Sequence, residues 1–166
     1  MHDQPASAAT ITRFADLDAL ERAVGEPALR SDWLTVTQTM IDEFAALTGD
    51  RQWIHLDAER ARRESPYGTT IAHGFLTLSL LSTLIQQTLA FPFAGASINY
   101  GFDRVRFLAP VPAESAVRGA FALTSLRRNA GGADIAWNAE VELRGSAKPV
   151  LAATWLSRVL VRGSQP

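Results

Sequence analysis

The sequence predicts an α+β fold in which one antiparallel sheet packs against a single long apolar helix. Residues 74–90, GFLTLSLLSTLIQQTLA, carry no charged side chain, which is typical of a helix buried on most of its faces. After this segment the chain changes to four consecutive strand-like segments separated by turns. Helices that come first and strands that come later favour an antiparallel sheet packed on a helix.

The segments before the long helix are shorter. The first of them has apolar residues at helical spacing, and the second alternates between apolar and polar residues. Thr37 or Thr39 could cap the second helix, Gly49 would end it, and Asp57 would cap a brief turn. We expect a helix over 14–24, a strand over 31–38, a helix over 40–48 and a turn over 58–65.

The four later strands are delimited by turn sequences. The turns are LAPVPAE, RRNAGG and RGSAKP, each containing proline or glycine. Alternation is clearest in WNAEVELRG, where Trp137, Ala139, Val141 and Leu143 would share one face. We expect strands near 96–107, 114–127, 133–144 and 149–161.

Composition limits the classes of function. The chain has 166 residues, which suits one domain over 1–166, with residues 1–13 and 162–166 expected to be flexible. Sixteen basic and 17 acidic residues leave a net charge of −1, so we expect neither a nucleic-acid nor a membrane partner. Cysteine is absent, which excludes disulfide and thiolate chemistry. The N-terminus lacks the organisation of a secretory signal, so we expect a cytoplasmic location.

The stretch TGDRQWIHLD is the first candidate site. Asp50 lies beyond the end of a predicted helix, where the helix dipole does not favour a negative charge. An aspartate and an imidazole, such as Asp50 and His55, can together hold and polarise one water molecule. The apolar Trp53 and Ile54 between them could exclude bulk water from such a site. The alternative is an ordinary Gly-Asp turn followed by a partly buried histidine bonded to the backbone.

The stretch TTIAHGFLTLSLL is the second candidate site. Its His73-Gly74 pair opens the long helix, where free N–H groups carry partial positive charge and can hold an oxyanion. Glycine allows a ligand to approach the backbone closely. The alternative is a buried helix with a glycine at a tight entrance, and a histidine that serves packing.

Two further patterns contain residues that bind phosphates or metals in other proteins. Arg104 and Arg106 alternate on a predicted strand and could meet phosphates, although the residue pattern favours a solvated strand face. Asp50, His55 and His73 could be imagined as metal ligands, but their spacing matches no zinc pattern, so no metal is expected.

These residues together resemble the MaoC-like hydratase family, the (R)-specific enoyl-CoA hydratases, and within it the single-domain nodulation protein N-like branch. The strand and turn RFLAPVPAES is similar to a third, weaker family block. The two main blocks are met by Phe44, Thr48, Gly49, Asp50, His55 and Ala61, and by Ile71, Ala72, His73 and Gly74. At Gln52-Trp53 the family usually has Asn-Pro, a departure that bears on substrate range more than on chemistry.

The resemblance implies a hot-dog fold, with the sheet wrapped round helix 74–90, and homodimers that share one continuous sheet. Asp50 and His55 would activate water, one of them taking its proton, and the Gly74 N–H would hold the thioester oxygen. The product of a trans-2-enoyl-CoA would be an (R)-3-hydroxyacyl-CoA, with no cofactor beyond the coenzyme A of the substrate. Residues expected to contact substrate are Gln52, Trp53, Ile71, Ala72, His73, Phe75, Arg104 and Arg106. Alternatives are an acyl-CoA thioesterase and a non-catalytic acyl-binding or partner subunit.

Overall fold

The computed structural model describes residues 10–163, which contain five helices and eight strands. The helices are α1 (Leu17–Arg22), α2 (Gln38–Thr48), α3 (Trp53–Leu56), α4 (Ala58–Glu64) and α5 (Gly74–Gln86). The strands are β1 (Thr12–Arg13), β2 (Leu29–Arg30), β3 (Leu34–Val36), β4 (Leu89–Ala90), β5 (Ala94–Phe107), β6 (Ser115–Asn129), β7 (Gly132–Leu143) and β8 (Leu151–Val161).

One antiparallel sheet forms the body of the fold. Its strands lie in the order β2-β6-β7-β8-β5, and β3 also pairs with β6. All of these pairings are antiparallel, whereas β1 and β4 form a separate two-stranded parallel pair. The predicted α+β class and the order of helices before long strands are therefore confirmed.

Helix α5 packs its apolar side chains against this sheet. Leu81 and Leu84 are almost fully buried, and on the sheet Trp137, Ala139 and Val141 belong to the same core. The predicted shared face of these β7 residues is thus confirmed, because side chains two apart on a strand point the same way. Burial of each leucine contributes about 1.5–3 kcal/mol. The core consequently fixes the position of α5 relative to the sheet.

Helix α5 is shorter than the predicted 74–90. It ends at Gln86, and Gln87 caps it with its N–H on the carbonyls of Ile85 and Thr83. Leu89 and Ala90 form β4 instead, where the Thr12 N–H donates to the Thr88 carbonyl at 2.9 Å. Pairing with β1 satisfies backbone groups that a longer helix would otherwise have used.

The N-terminal elements differ from the prediction at their ends. Helix α1 begins at Leu17, because the Asp16 side chain caps it by accepting from the Ala19 N–H at 2.7 Å, and it ends at Arg22 with Ala23 as its C-cap. Strand 31–38 is reduced to β3, and the turn expected over 58–65 is helix α4. Within the segment expected to be flexible, Thr12–Arg13 form β1; residues 1–9 and 164–166 lie outside the described residues.

Between residues 10 and 163, no helix has the length and apolar character needed to cross a bilayer.

Candidate active site

Asp50 is placed by the end of α2. Gly49 ends that helix in the left-handed conformation, with φ of +82°, and its N–H donates to the Ala45 carbonyl. The chain then turns, and Asp50 follows as an exposed residue whose Oδ1 accepts from the Gln52 N–H at 3.4 Å. This bond is long, so the carboxylate remains free to accept from another group.

His55 lies on the short helix α3 and is 7% exposed. Its Nδ1 is 2.7 Å from the Ile71 carbonyl oxygen. Because a carbonyl only accepts, Nδ1 carries the proton and Nε2 presents a lone pair. Burial lowers the pKa of His55; the Ile71 carbonyl and Asp50 oppose this, while His73 adds to it. His55 is therefore held as a neutral imidazole with a basic Nε2.

Gln38 fixes the main chain of His55. Its amide nitrogen donates to the His55 carbonyl at 2.8 Å, and its amide oxygen accepts from the buried Thr70 hydroxyl at 2.5 Å. The Gln38 N–H in turn donates to Glu114 at 2.8 Å. Sequence reasoning missed Gln38 and Thr70, because no local spacing signals a contact between residues so far apart in the chain.

His73 is buried next to Asp50 and His55, with 2% of its surface exposed. Its Nε2 is 3.0 Å from the Asp50 carbonyl oxygen, so Nε2 donates a proton there. Its ring stacks on that of His55, with centroids 3.8 Å apart and planes 25° from parallel. Among the described residues, its buried Nδ1 has no hydrogen-bond partner.

Gly74 is the first residue of α5. The first N–H groups of a helix have no partner within it, and they carry partial positive charge. A Cβ at Gly74 would lie 3.1 Å from the Phe107 ring, which would have to shift. Glycine therefore permits the close packing of the helix start against the end of β5.

A cavity of about 400 Å³ joins His55 to the start of α5. Ile71, Ala72, Gly74 and Phe107 line it together with His55. A second cavity of about 400 Å³ lies at the other end of α5, lined by Gln86, Phe91, Asn99 and Trp155 among others. The first cavity contains the candidate base and the helix N-terminus, so we assign the chemistry to it.

The other residues predicted to contact substrate are more scattered. Gln52 is exposed, and Trp53 is half-buried beneath the Arg60 guanidinium, 4.2 Å from its ring centroid. Phe75 is 67% exposed and meets Phe107 edge-on at 5.9 Å. It therefore stands at the mouth of the cavity rather than inside.

Arg104 and Arg106 are exposed on β5. The intervening Val105 and the following Phe107 pair with the buried Ala153 and Leu151 of β8. Since neighbouring strand residues point to opposite faces, both arginines point away from the core face and do not line the cavity within one chain.

Asp50, His55 and His73 form a compact polar cluster. One ligand atom each of Asp50, His55 and His73 lies within 4.8 Å of the others. Each ring uses one nitrogen in a hydrogen bond to a backbone carbonyl, which leaves the second ring nitrogen of each histidine as an acceptor. The arrangement suits a water molecule held by Asp50 and His55.

A hot-dog domain with an acid and a neutral histidine at the N-terminus of its central helix is the class that this fold and site define. The chain belongs to the MaoC-like dehydratase family, whose MaoC like domain matches residues 19–142. The predicted family resemblance and the hot-dog fold are thus confirmed, and the family is one of hydratases and dehydratases.

Curated relatives support this assignment over nearly the whole chain. The 3-hydroxyacyl-thioester dehydratase Z of Mycobacterium tuberculosis is 45% identical over 150 residues, covering 90% of this chain and 97% of the relative. Nodulation protein N of Rhizobium meliloti is 45% identical over 143 residues, covering 85% of this chain and 89% of the relative. The predicted likeness to the nodulation protein N-like branch is therefore confirmed.

Solved structures share the fold. The unliganded R-hydratase PhaJ1 of Pseudomonas aeruginosa superposes with a TM-score of 0.68 at 23% identity, covering 82% of this chain and 83% of that one. The (R)-hydratase of A. caviae involved in PHA biosynthesis gives 0.66 at 23% identity, covering 80% and 96%.

Proposed function

We propose that this protein is an (R)-specific enoyl-CoA hydratase that adds water to a trans-2-enoyl-CoA and gives an (R)-3-hydroxyacyl-CoA. The observation that carries the proposal is the convergence of Asp50, His55 and the start of α5 at Gly74. The mycobacterial relative is named for 3-hydroxyacyl thioesters, the products of this hydration. One site serves both directions, because a catalyst accelerates the forward and reverse reactions alike.

Asp50 and the free Nε2 of His55 would hold the attacking water. One of the two takes a proton from it as its oxygen bonds to C3 of the enoyl group. The electrons of the C2–C3 double bond move toward the thioester oxygen, and the proton then returns to C2. The water is thereby consumed whole, and no oxidant, metal or organic cofactor takes part in the proposed reaction.

The N–H of Gly74 would bind the thioester oxygen. Negative charge develops there while the new C3–O bond forms, so a fixed donor stabilises the transition state more than the ground state. The absence of a side chain at Gly74 lets the oxygen approach the backbone.

The apolar part of the same cavity would take the acyl chain. Ile71 and Ala72 line it beside His55, and its volume of about 400 Å³ favours short or medium chains. Phe75 and Phe107 at its mouth, with Gln52 and Trp53 on the neighbouring loop, would border the entering thioester.

We also propose that the protein acts as a homodimer. Among residues 10–163, β5 is the last strand of the sheet and pairs only with β8. Its exposed side chains include Ile98 and Tyr100. An open apolar strand edge is a template for pairing with another strand. A second copy would cover it and extend the sheet. Arg104 and Arg106, which do not reach the cavity of their own chain, could then contact coenzyme A phosphates.

The test is the ultraviolet absorbance of crotonyl-CoA on addition of the protein, with free thiol followed in parallel. We expect the enoyl absorbance to fall while no thiol appears, and the product to be the (R)-3-hydroxy ester. Release of thiol from an acyl-CoA without hydration would show a thioesterase instead. Binding of crotonyl-CoA without any change would show a non-catalytic subunit.

A further inference from the structure

We propose that His73 is a positioning residue for the reaction, which fixes the positions of Asp50, His55 and Gly74 relative to one another. The proposal rests on the hydratase function proposed above and adds a role for a side chain that does not line the cavity.

Three contacts join His73 to the three groups of the site. Its Nε2–H donates to the Asp50 carbonyl at 3.0 Å, which fixes the loop after α2. Its ring lies 3.8 Å from that of His55, nearly parallel to it. Its own carbonyl accepts from the Thr77 N–H at 3.1 Å and so forms the first turn of α5, directly beside Gly74.

The ring of His73 has little freedom to move. It is 2% exposed, and Phe44 of α2 packs at 5.1 Å on it, tilted by 50°. An imidazole bonded at Nε2 and enclosed on its faces can orient its neighbours without taking part in proton transfer. A displacement of about 1 Å at a reacting group can cost about 100-fold in rate, so such a support matters for catalysis.

His73 also shapes the electrostatics of His55. The titratable side chains that act on His55 are Asp50, from the loop after α2, and His73, directly before α5. From α2, Gln38 and Phe44 contribute no ionisable group. His73 lowers the pKa of His55, so replacing His73 with glutamine should raise the pKa of His55.

The test compares His73→Leu with His73→Gln in the crotonyl-CoA assay. The leucine lacks a donor to Asp50, so we expect kcat to fall by about 10- to 100-fold with a smaller change in KM. The glutamine amide can reach the Asp50 carbonyl, so we expect it to recover most of kcat. We also expect the acid limb of its pH profile to move to higher pH.

A kcat for His73→Leu within about twofold of wild type would overturn the proposal, as would a kcat for His73→Gln no higher than that of His73→Leu. If the leucine variant does not fold, His73→Asn, whose amide is one methylene shorter than that of glutamine, takes its place as the variant expected to lose kcat. The NMR signal of the His55 Nδ1–H without substrate separates this proposal from the proposed function. A weakened His55 Nδ1–H signal in His73→Leu that returns in His73→Gln supports positioning even if wild type proves inactive on crotonyl-CoA, and a signal unchanged in His73→Leu contradicts it.

Discussion

At the scale of single residues, His55 brings together burial, a hydrogen bond and two neighbouring ionisable groups. The Ile71 carbonyl fixes its tautomer by accepting from Nδ1 at 2.7 Å. Burial lowers its pKa, and this is the largest of the influences on it. Both effects leave Nε2 as an acceptor, which the proposed reaction needs whether His55 or Asp50 takes the proton of water.

The pH dependence of the reaction follows from this state. In the proposed reaction neutral His55 is the active form. Its pKa lies below the ordinary 6.5, so we expect kcat/KM to hold down to pH 6.5 and fall only below it. The measurement is kcat/KM for crotonyl-CoA across the acid range. A half-loss of activity at or above pH 6.5 would contradict the assignment of His55.

Asp50, His55 and Gly74 could be named from the sequence, because Gly-Asp after a helix and His-Gly before another are local patterns. The residues that hold these three in place could not be named from the sequence. Gln38 reaches the His55 carbonyl 17 positions away, and Thr70 bonds Gln38 across 32 positions. Such contacts depend on how helices and loops meet in space, which no periodicity records. His73 was predicted among the substrate contacts, and in the structure it is buried beside Asp50 and His55 and does not line the cavity.

At the scale of elements, α5 shows that an apolar composition predicts burial but not where a helix ends. Its apolar run predicted a buried helix correctly, but the run continues through Leu89 and Ala90, which form a strand. Apolar residues suit either element, and the partner strand β1 decided the outcome. The ends of the four long strands were predicted to within two residues, because alternation and turn residues both mark their ends.

Strand β5 supplies the prediction that belongs to this scale. Ile98 is 45% exposed and Tyr100 is 66% exposed on a strand that β8 covers along one edge. We expect light scattering to give twice the chain mass of 18.0 kDa for wild type. Ile98→Lys combined with Tyr100→Lys should shift it toward the monomer, since charged side chains on an edge oppose strand pairing.

The control for this experiment is Val24→Lys, which adds one positive charge, against two in the double variant, at a position 38% exposed just after α1. It should leave the mass unchanged. A monomeric wild type, or a double variant that keeps the wild-type mass, would contradict pairing through β5.

At the scale of the whole molecule, packing between the sheet and α5 fixes the position of the N-terminus of α5. The core of leucines on α5 and aromatic residues on β7 and β8 fixes the helix. Its N-terminus therefore meets the loop that carries Asp50 and the short helix α3 that carries His55. The fold class and family could be predicted from the sequence because both depend on long, regular patterns. The direction of Arg104 and Arg106 depended on strand register, and β-bulges in β5 hide that from sequence alone.

The most direct test of the account is hydration of crotonyl-CoA by Asp50→Asn and His55→Gln beside wild type. Asp103→Asn, an exposed carboxylate on β5, serves as a control for the loss of one charge. We expect each site variant to lose about 100- to 10,000-fold in kcat while remaining folded by circular dichroism, because a positioned acid or base contributes that much. The control should keep wild-type activity. Wild-type hydration that survives in either site variant would contradict the proposed roles of Asp50 and His55.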